Sequence, residues 1–505
     1  MKRREACLAL LAAFCLDGCS SIPGGSDLAR IYDRDLADRL VPLLTETVRI
    51  ETVAGNAKAI AEQKLWVERV AGELGFTFRD AGKMWEVDFT GPPGAPVLGL
   101  AVHSDVVPAD KAKWSFPPFD LTVRDGMVQG RGVIDDKGPM VVALLAMKAL
   151  KESGKVRTHT VRLIVGTEEE STFNDIREYV KSQKSPDLSL VLDANFPVLI
   201  GEMAVNMLTV ETALHDRAQA PVRLKSLAAG LAVNIVPDTA IAKIESVSGN
   251  ATVLDALEKR LAARTMPDGT ALQTDREGAM LVVRARGKSS HAGVNPTGGR
   301  NALVALASAL EDELGAGGAR DLLSFTRLSG QDLHGTGLGL TESHALFGRA
   351  VVVPTMVREM DEGKLRLFVN IRSYPGMSGD TLKSHLTTKV REFNERTGGA
   401  LEPAGTFSAQ PFVLDPESKI VKRLMAAYRR STGRNDPPGV TAGGTYAKVL
   451  PNAIVFGMFF PGKPYPGHDV DEKVSLAELH LGAHALLEAL EDIACGPPMI
   501  EPFRP

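Results

Sequence analysis

The chain has 505 residues, of which 44% are apolar, and its formal net charge at neutral pH is −4. This length exceeds what one ordinary hydrophobic core organises, and this apolar content excludes a disordered chain, so two or three folded domains are expected. The small net charge and the lack of a Lys/Arg block argue against binding to nucleic acid or to an anionic membrane surface, which indicates a substrate that is small or not polyanionic.

The first nineteen residues predict an export signal. A charged start, "MKRR", precedes the apolar run "ACLALLAAFCL", whose eleven residues are too few to span a bilayer. The segment Leu16-Asp17-Gly18-Cys19 resembles the lipobox of bacterial lipoproteins, in which the cysteine becomes the lipidated first residue. Ordinary signal cleavage is the alternative, because Asp17 is less usual in that box. We therefore expect an exported protein, either periplasmic or a lipoprotein that meets the membrane only through Cys19.

The four cysteines predict that the mature protein has no intramolecular disulfide. Cys7 and Cys15 would leave with the signal and Cys19 would carry the lipid, so only Cys495 remains as a free thiol. No later segment reaches eighteen apolar residues without a charge, and no repeat is visible.

Residues 27–204 are expected to form the first part of an α/β catalytic domain. Apolar residues spaced at three and four predict amphipathic helices over 40–50 and 61–76. Three apolar runs, "VLGLAVHSDVVP", "TVRLIVGTEEES" and "DLSLVLDANFP", are typical of buried strands that end in polar residues. Functional sites of open α/β sheets gather where such strands end.

Side chains that suit divalent metals follow these strand ends and the turn "GRGVIDDKGP": His103, Asp105, Asp135, Asp136, Glu168, Glu169, Glu170 and Asp193. So many carboxylates cannot stay charged together unless cations neutralise them. Carboxylate and imidazole ligands together suit Zn²⁺, Mn²⁺ or Co²⁺ better than Ca²⁺. For Asp135 and Asp136 alone, the alternative is a cap on a helix that runs from Lys137 to about residue 153.

Residues 205–405 show a different pattern, which predicts an α+β domain inserted into the catalytic domain. Helices are expected over 249–264 and 301–314, and strands over 279–290 and 364–375. Residues 406–495 then resume the catalytic domain, where the strand-like "AIVFGMFF" leads into a loop that carries His468. A final helix over 476–493 carries His480 and His484, which lack the adjacent Glu of a helical metal motif and are interpreted as packing residues.

Five ordered motifs give the chain a family resemblance: "HSD" at 103–105, "GRGVIDDKGP", "GTEEES" at 166–171, "LDANFP" at 192–197 and "PGH" at 466–468. They resemble the co-catalytic zinc metallopeptidases of the aminoacylase and glutamate carboxypeptidase superfamily. "GTEEES", "DANFPV" and "GGTYAK" are most similar to the bacterial Xaa-dipeptidases of the carnosinase type. The resemblance implies a three-layer catalytic domain with a mostly parallel mixed sheet, an inserted lid, and a monomer that cleaves small dipeptides.

The resemblance also implies a metal centre with two divalent ions, most simply Zn²⁺, with Mn²⁺ and Co²⁺ as alternatives. His103 and Asp193 would hold one ion, Glu170 and His468 the other, and Asp135 would bridge them. Glu169 would then be the general base, with Glu168 in a non-catalytic position. Asp105 would orient the imidazole of His103. The Asp135–Asp136 peptide is typically cis in this family.

Three further residues, all in the inserted domain, match positions that face the substrate in this family. His291 would stabilise the oxyanion, Asn234 would hydrogen-bond the substrate, and Arg372 would bind its carboxylate together with backbone donors near Gly444. For each of the three side chains, a capping or turn role is the alternative.

Two other functions compete with dipeptide hydrolysis. The same site would also serve an N-acyl amino acid deacylase or a carboxypeptidase, and motif spacing does not separate these activities. A non-catalytic binding lipoprotein is the remote alternative, since every expected ligand position and the base are filled by competent residues.

Overall fold

The computed structural model describes residues 26–499 except 215, 216, 218, 268 and 464. The export signal and Cys19 lie outside the described residues. None of the helices within these ranges combines the length and the hydropathy that crossing a membrane requires.

The chain first forms helices and strands that alternate along residues 27–202. The helices are α1 (Asp27–Asp35), α2 (Leu40–Val48), α3 (Ala57–Leu74), α4 (Lys137–Glu152) and α5 (Asn174–Ser182). The strands are β1 (Thr77–Asp80), β2 (Trp85–Phe89), β3 (Val97–His103), β4 (Thr122–Arg124), β5 (Met127–Gln129), β6 (Thr160–Gly166), β7 (Leu188–Val191), β8 (Ala194–Asn195) and β9 (Leu199–Glu202). The apolar runs quoted above are therefore strands that end close to His103, Gly166 and Asp193.

The rest of the chain contains a second series of strands and helices and then a return to the first. The second series is β10 (Ala204–Ala213), β11 (Val222–Ala229), β12 (Thr239–Ser246), α6 (Ala251–Ala262), β13 (Ala271–Glu277), β14 (Met280–Arg286), α7 (Ala302–Leu310), α8 (Gly318–Ser329), β15 (Ser343–His344), β16 (Gly348–Arg349), β17 (Val351–Glu359), β18 (Lys364–Ser373), α9 (Gly379–Thr397) and β19 (Glu402–Ala409). The return is β20 (Phe412–Val413), α10 (Lys419–Thr432), β21 (Gly439–Thr441), β22 (Ala453–Val455), β23 (Met458–Phe459), β24 (Lys473–Ser475) and α11 (Leu476–Ala494).

The catalytic sheet has the strand order β1-β2-β6-β3-β7-β22-β9-β20, with β21 paired to β9. Its centre, β6-β3-β7-β22, is parallel, whereas β1, β2 and β20 join by antiparallel pairing. Strand β22 comes from the C-terminal part of the chain and lies between β7 and β9. The sheet is therefore mixed with a parallel centre, and both parts of the catalytic domain build it.

Helices cover both faces of this sheet, because successive residues of each buried strand point to opposite faces. Leu98, Leu100 and Val102 of β3 pack in the core that contains α4 and α11. Ala101 of the same strand belongs instead to the core that contains α5 and Tyr446. The catalytic domain is therefore the three-layer α/β domain expected.

The inserted residues form a separate antiparallel sheet, β13-β14-β12-β11-β17-β18-β10-β19. Helices α6 to α9 pack on it around a core of their own. Strands β10 and β19 pair with each other, with Val205 opposite Ala409. The chain therefore leaves the catalytic domain and returns to it at neighbouring points, and the insert is an α+β unit.

His480 and His484 pack against the first helix. The Tyr32 hydroxyl lies 2.9 Å from His480 Nδ1, and His484 Nε2 lies 2.7 Å from an Asp33 carboxylate oxygen. Within the described ranges, neither histidine belongs to a group with metal-ligand spacing. This geometry agrees with their interpretation as packing residues.

Candidate active site

The site lies where three parallel strands end at the same edge of the catalytic sheet. His103 is the last residue of β3, Glu169 and Glu170 follow β6, and Asp193 follows β7. The order β6-β3-β7 makes these strands direct neighbours, so their carboxyl ends meet. The turn before α4 adds Asp135.

Asp135 lies between two histidines and turns one carboxylate oxygen toward each. Its Oδ1 lies 2.9 Å from His103 Nε2, and its Oδ2 lies 3.1 Å from His468 Nε2. His468 Nε2 is also 2.5 Å from Glu170 Oε1, and His103 Nε2 is 3.8 Å from Asp193 Oδ1. His468 has φ +66°, a left-handed conformation that costs a non-glycine residue energy and is found mainly where function requires it.

All five residues predicted to bind metal thus come together, and they form two groups that share Asp135. One group is His103, Asp135 and Asp193, and the other is Asp135, Glu170 and His468; in each group the ligand atoms lie within 4.8 Å of one another. The same criterion also groups His103 with Glu169 and Glu170.

The charges of this cluster suit divalent cations. Burial raises the pKa of Asp193 to about 7, and burial together with the charge of Asp193 raises the pKa of Glu169 well above its ordinary value. In the part of the chain that the structure describes, Glu169 Oε1, Asp136 Oδ1 and His468 Nδ1 are buried without a hydrogen-bond partner. The cluster thus combines carboxylate oxygens and imidazole nitrogens, some of them without a partner. These are the ligand atoms that Zn²⁺, Mn²⁺ or Co²⁺ prefers.

Asp105 contacts the site in a way that the sequence did not suggest. Its backbone carbonyl accepts from His103 Nδ1 at 2.9 Å, which leaves Nε2 of that ring facing Asp135. Its carboxylate lies 3.5 Å from the same Nδ1 and accepts instead from the backbone N–H groups of Glu169 at 3.2 Å and Glu170 at 3.0 Å. Asp105 therefore orients His103 by its backbone and anchors the acidic loop by its side chain.

Asp136 does not cap the helix that follows it. It occupies the N-cap position of α4, but its side chain makes no capping hydrogen bond. Its Oδ2 accepts instead from the backbone N–H of His103 at 3.1 Å, so the capping interpretation is wrong. The Asp135–Asp136 peptide is cis, as the family resemblance implies.

Glu168 points away from the other two glutamates of the triple acid. Its carboxylate lies 3.1 Å from Lys83 Nζ and accepts from the Thr172 hydroxyl at 2.6 Å. Its side chain is partly exposed, whereas Glu169 is buried in the cluster.

The inserted domain brings His291 to the cleft. Its ring lies over that of His468, with 4.7 Å between ring centroids. The backbone N–H groups of Gly293 and Val294 both donate to its Nδ1 at 2.9 Å, so the neutral ring carries its proton on Nε2. Burial, aided by the charges of His468 and Arg372, lowers the pKa of His291 well below its ordinary value. His291 is therefore a neutral hydrogen-bond donor.

Arg372 is a buried guanidinium beside His291. Its Nε donates to the Asn370 side chain at 2.9 Å, and among the described residues no carboxylate lies within ion-pair distance of it. Burial lowers the pKa of Arg372 to about 10, although Glu169 and Glu202 favour its charge. An anionic group of a ligand would supply the missing partner.

Asn234 and Gly444 lie on two separate loops. The backbone carbonyl of Asn234 accepts from Ala292 N at 2.8 Å, which places it next to His291. The Gly443 N–H donates to the Thr441 hydroxyl at 2.9 Å, whereas within the described ranges the Gly444 N–H has no acceptor. Of the two glycines, Gly444 therefore offers the backbone donor.

A buried ion pair that sequence reasoning missed holds two of the loops. Arg131 donates to Glu472 at 2.7 Å, and the same carboxylate accepts from the backbone N–H groups of Gly132 at 3.1 Å and Ile134 at 3.0 Å. Gly132 has φ +87°, which favours glycine. Glu472 therefore joins the turn that carries Asp135 to the loop that carries His468. Arg131 stood in a quoted motif, but nothing in the sequence indicated its partner.

A second residue that was missed touches Asp135 directly. The Tyr465 hydroxyl donates to Asp135 Oδ2 at 2.7 Å. It thereby helps to orient the carboxylate that the two histidines share.

The chain matches known proteins over most of its length. Residues 99–492 match the family model described as Peptidase family M20/M25/M40. The chain is 28% identical over 399 residues to a beta-Ala-Xaa dipeptidase of Lactobacillus delbrueckii subsp. lactis, which covers 78% of this chain and 82% of that protein. Human carnosine dipeptidase 1 shares the fold with TM-score 0.58 at 14% identity, over 92% of this chain and 98% of that one. The dipeptidase Dug1p of Saccharomyces cerevisiae does so with TM-score 0.57 at 14% identity, over 92% and 97%.

The Arg131–Glu472 pair predicts a stability effect. Replacing Arg131 with Met leaves a carboxylate buried without its cation, and breaking a buried pair in this way costs about 3–5 kcal/mol of unfolding free energy. Arg223→Met removes an exposed partner of Glu245 and should cost less than about 1 kcal/mol. Urea unfolding of both variants measures the difference, and equal losses would contradict the anchoring role of Glu472.

Proposed function

Because the chain belongs to peptidase family M20/M25/M40 and is therefore a hydrolase, we propose that it cleaves the peptide bond of dipeptides with the help of two divalent metal ions. The observation that carries the proposal is Asp135, whose two oxygens face His103 and His468. The name of the beta-Ala-Xaa dipeptidase, to which the chain is similar over most of its length, supports the choice of substrate.

The two metals would be held by the two groups that share Asp135. His103 and Asp193 complete one group, and Glu170 and His468 complete the other. When bound, two such ions polarise the scissile carbonyl and lower the pKa of the attacking water. Zn²⁺ fits this mixture of imidazole and carboxylate ligands, and Mn²⁺ and Co²⁺ fit it as well.

Glu169 would act as the general base. Its Oε1 is buried and lacks a hydrogen-bond partner among the described residues, and burial together with neighbouring acids raises its pKa well above its ordinary value. Glu169 Oε1 accepts the proton of the attacking water and later returns it to the nitrogen of the leaving amine. The pairing of Glu168 with Lys83 supports this choice between the glutamates.

Residues of the inserted domain would bind the substrate and its developing charge. The Nε2 proton of His291 is directed to the oxyanion, because Nδ1 is already occupied by two backbone donors. Arg372 and the Gly444 N–H bind the free carboxylate of the dipeptide, and Asn234 donates to the substrate beside His291. Since His291 and His468 belong to one chain, we also propose that the monomer is active, which size-exclusion chromatography of the active protein tests.

A substrate panel tests the proposed function. After reconstitution with Zn²⁺, Mn²⁺ or Co²⁺, the enzyme should cleave dipeptides faster than tripeptides, N-acyl amino acids and C-terminally amidated dipeptides, because the amide removes the charge that Arg372 reads. Elemental analysis should find two ions per chain. If N-acyl amino acids are cleaved faster than dipeptides, the protein is a deacylase and not a dipeptidase. Full activity with one ion per chain would contradict the two-metal centre.

The triple acid allows the base to be separated from the metal ligand. Glu169→Ala should lower kcat by about 10²–10⁴-fold and keep both metals, because it removes only proton transfer. Glu170→Ala should lose metal, and Glu168→Ala is the neighbouring control with near-normal activity. Metal content and single-substrate kinetics measure the three variants. A metal-replete but inactive Glu168→Ala would shift the assignment by one residue, with Glu169 as the ligand.

We propose further that the protein is exported and anchored by lipid at Cys19. The precursor should be cleaved before Cys19 and label with palmitate. Cys19→Ala should release a soluble protein with unchanged activity, since the anchor precedes the first helix of the catalytic domain. Fractionation with an activity assay measures this. Wild-type protein that is unlabelled and freely soluble would indicate ordinary signal cleavage.

A further inference from the structure

The segment "GGTYAK" is tied to the loop that carries the triple acid. The hydroxyl of Tyr446 donates to Asp175, and both side chains are buried. The same oxygen of Asp175 accepts from the backbone N–H groups of Thr167 at 2.8 Å and Glu168 at 2.9 Å. Tyr446 of "GGTYAK" is therefore linked to the backbone of "GTEEES" through the carboxylate of Asp175.

A glycine in the acidic motif makes room for this contact. A Cβ atom at Gly166 would lie 1.7 Å from the Tyr446 hydroxyl oxygen and 2.4 Å from the ring carbon that carries it. Any side chain at position 166 would force the tyrosine away from Asp175. The two motifs therefore pack against each other, although Gly166 and Tyr446 lie 280 positions apart in the sequence.

The acidic loop has two carboxylate anchors. Asp105 accepts from the backbone of Glu169 and Glu170, and Asp175 accepts from that of Thr167 and Glu168. Asp105 also contacts His103, the last residue of β3. Asp175 is the anchor that receives Tyr446, so a shift of this tyrosine is transmitted to the backbone of the general-base loop.

The other end of the tyrosine's segment borders the proposed carboxylate pocket. A Cβ atom at Gly293 would lie 2.8 Å from the Ala442 carbonyl oxygen and 2.9 Å from Arg372 Nε, so these two groups are neighbours. The Thr445 hydroxyl donates to the buried Glu202 at 2.7 Å. Residues 442–446 therefore form one fixed piece that runs from Arg372 to Asp175.

We propose that Tyr446 is a positioning residue that fixes the distance between the carboxylate pocket at Arg372 and Gly444 and the base Glu169, and that it thereby selects the peptide bond that lies one residue from the free carboxylate. The inference rests on the proposed function. In a dipeptide one residue separates the free carboxylate from the scissile bond, so a fixed span favours that bond over a bond two residues from the carboxylate, such as the first bond of a tripeptide. A misplacement of about 1 Å at a reacting centre costs about 10²-fold in rate.

The test compares Tyr446→Phe with Tyr179→Phe. Tyr179 is the matched control, because it is buried and its hydroxyl donates to the buried Glu86 at 2.6 Å rather than to Asp175. Tyr446→Phe should lower kcat on dipeptides by about tenfold or more and affect cleavage at the first bond of tripeptides less, so the ratio of kcat/KM for dipeptides to kcat/KM for that tripeptide bond falls. Metal content should stay at the wild-type value, and the control should keep the wild-type ratio.

A second variant covers the case in which Tyr446→Phe folds poorly. Asp175→Asn keeps the size of the side chain but removes the charge that receives the hydroxyl, and it should shift the same ratio in the same direction. An unchanged ratio in folded, metal-replete Tyr446→Phe or Asp175→Asn would overturn the inference. If the wild type cleaves no dipeptide, both the proposed function and this inference are wrong. If the wild type cleaves dipeptides but the variants keep its ratio, only the inference is wrong.

Discussion

Buried carboxylates crowd the ends of three parallel strands, and their mutual repulsion is the constraint on which the rest of the site depends. Asp135, Asp193, Glu169 and Glu170 share a volume from which water is largely excluded. Such a cluster is tolerable only if cations enter it or if protons remain on some of its members. The scaffold must therefore hold like charges together before any cation arrives, and its other features follow from that task.

The scaffold meets this task with four buried carboxylates that accept backbone N–H groups from segments around the site. Glu472 holds the turn before Asp135, Asp105 and Asp175 hold the acidic loop, and Glu202 holds the segment that begins at Thr445. Charge-assisted bonds to backbone donors are stronger than neutral ones and leave little freedom to the loop. These four acids occupy the layer beneath the site and position the acids that face the cleft.

Sequence patterns predicted what is local and missed what depends on distant partners. The helices and strands followed from apolar spacing, and the acids at strand ends identified His103 and its neighbours because both signals lie within a few residues. The local pattern left a helix cap open as the alternative for Asp136, since a local rule cannot know that the His103 backbone binds its carboxylate. Asp105 was expected to orient the imidazole of His103. It contacts that ring through its backbone carbonyl, and its carboxylate also binds the loop after a different strand. Glu472 carried no signal, and Tyr446 stood in the quoted "GGTYAK" without any indication of its partner, because both partners lie hundreds of positions away.

The position of β22 has a consequence for the order in which the protein can assemble. This strand pairs with both β7 and β9, yet it follows the whole inserted domain in the chain. As synthesis proceeds from the N-terminus, the inserted sheet is complete once β19 has emerged, whereas the catalytic sheet still has an open edge at β7. An apolar strand edge without a partner is prone to pair with other chains. Until β22 has been made, the catalytic sheet therefore lacks the strand that joins β7 to β9, whereas every strand of the inserted sheet is already present.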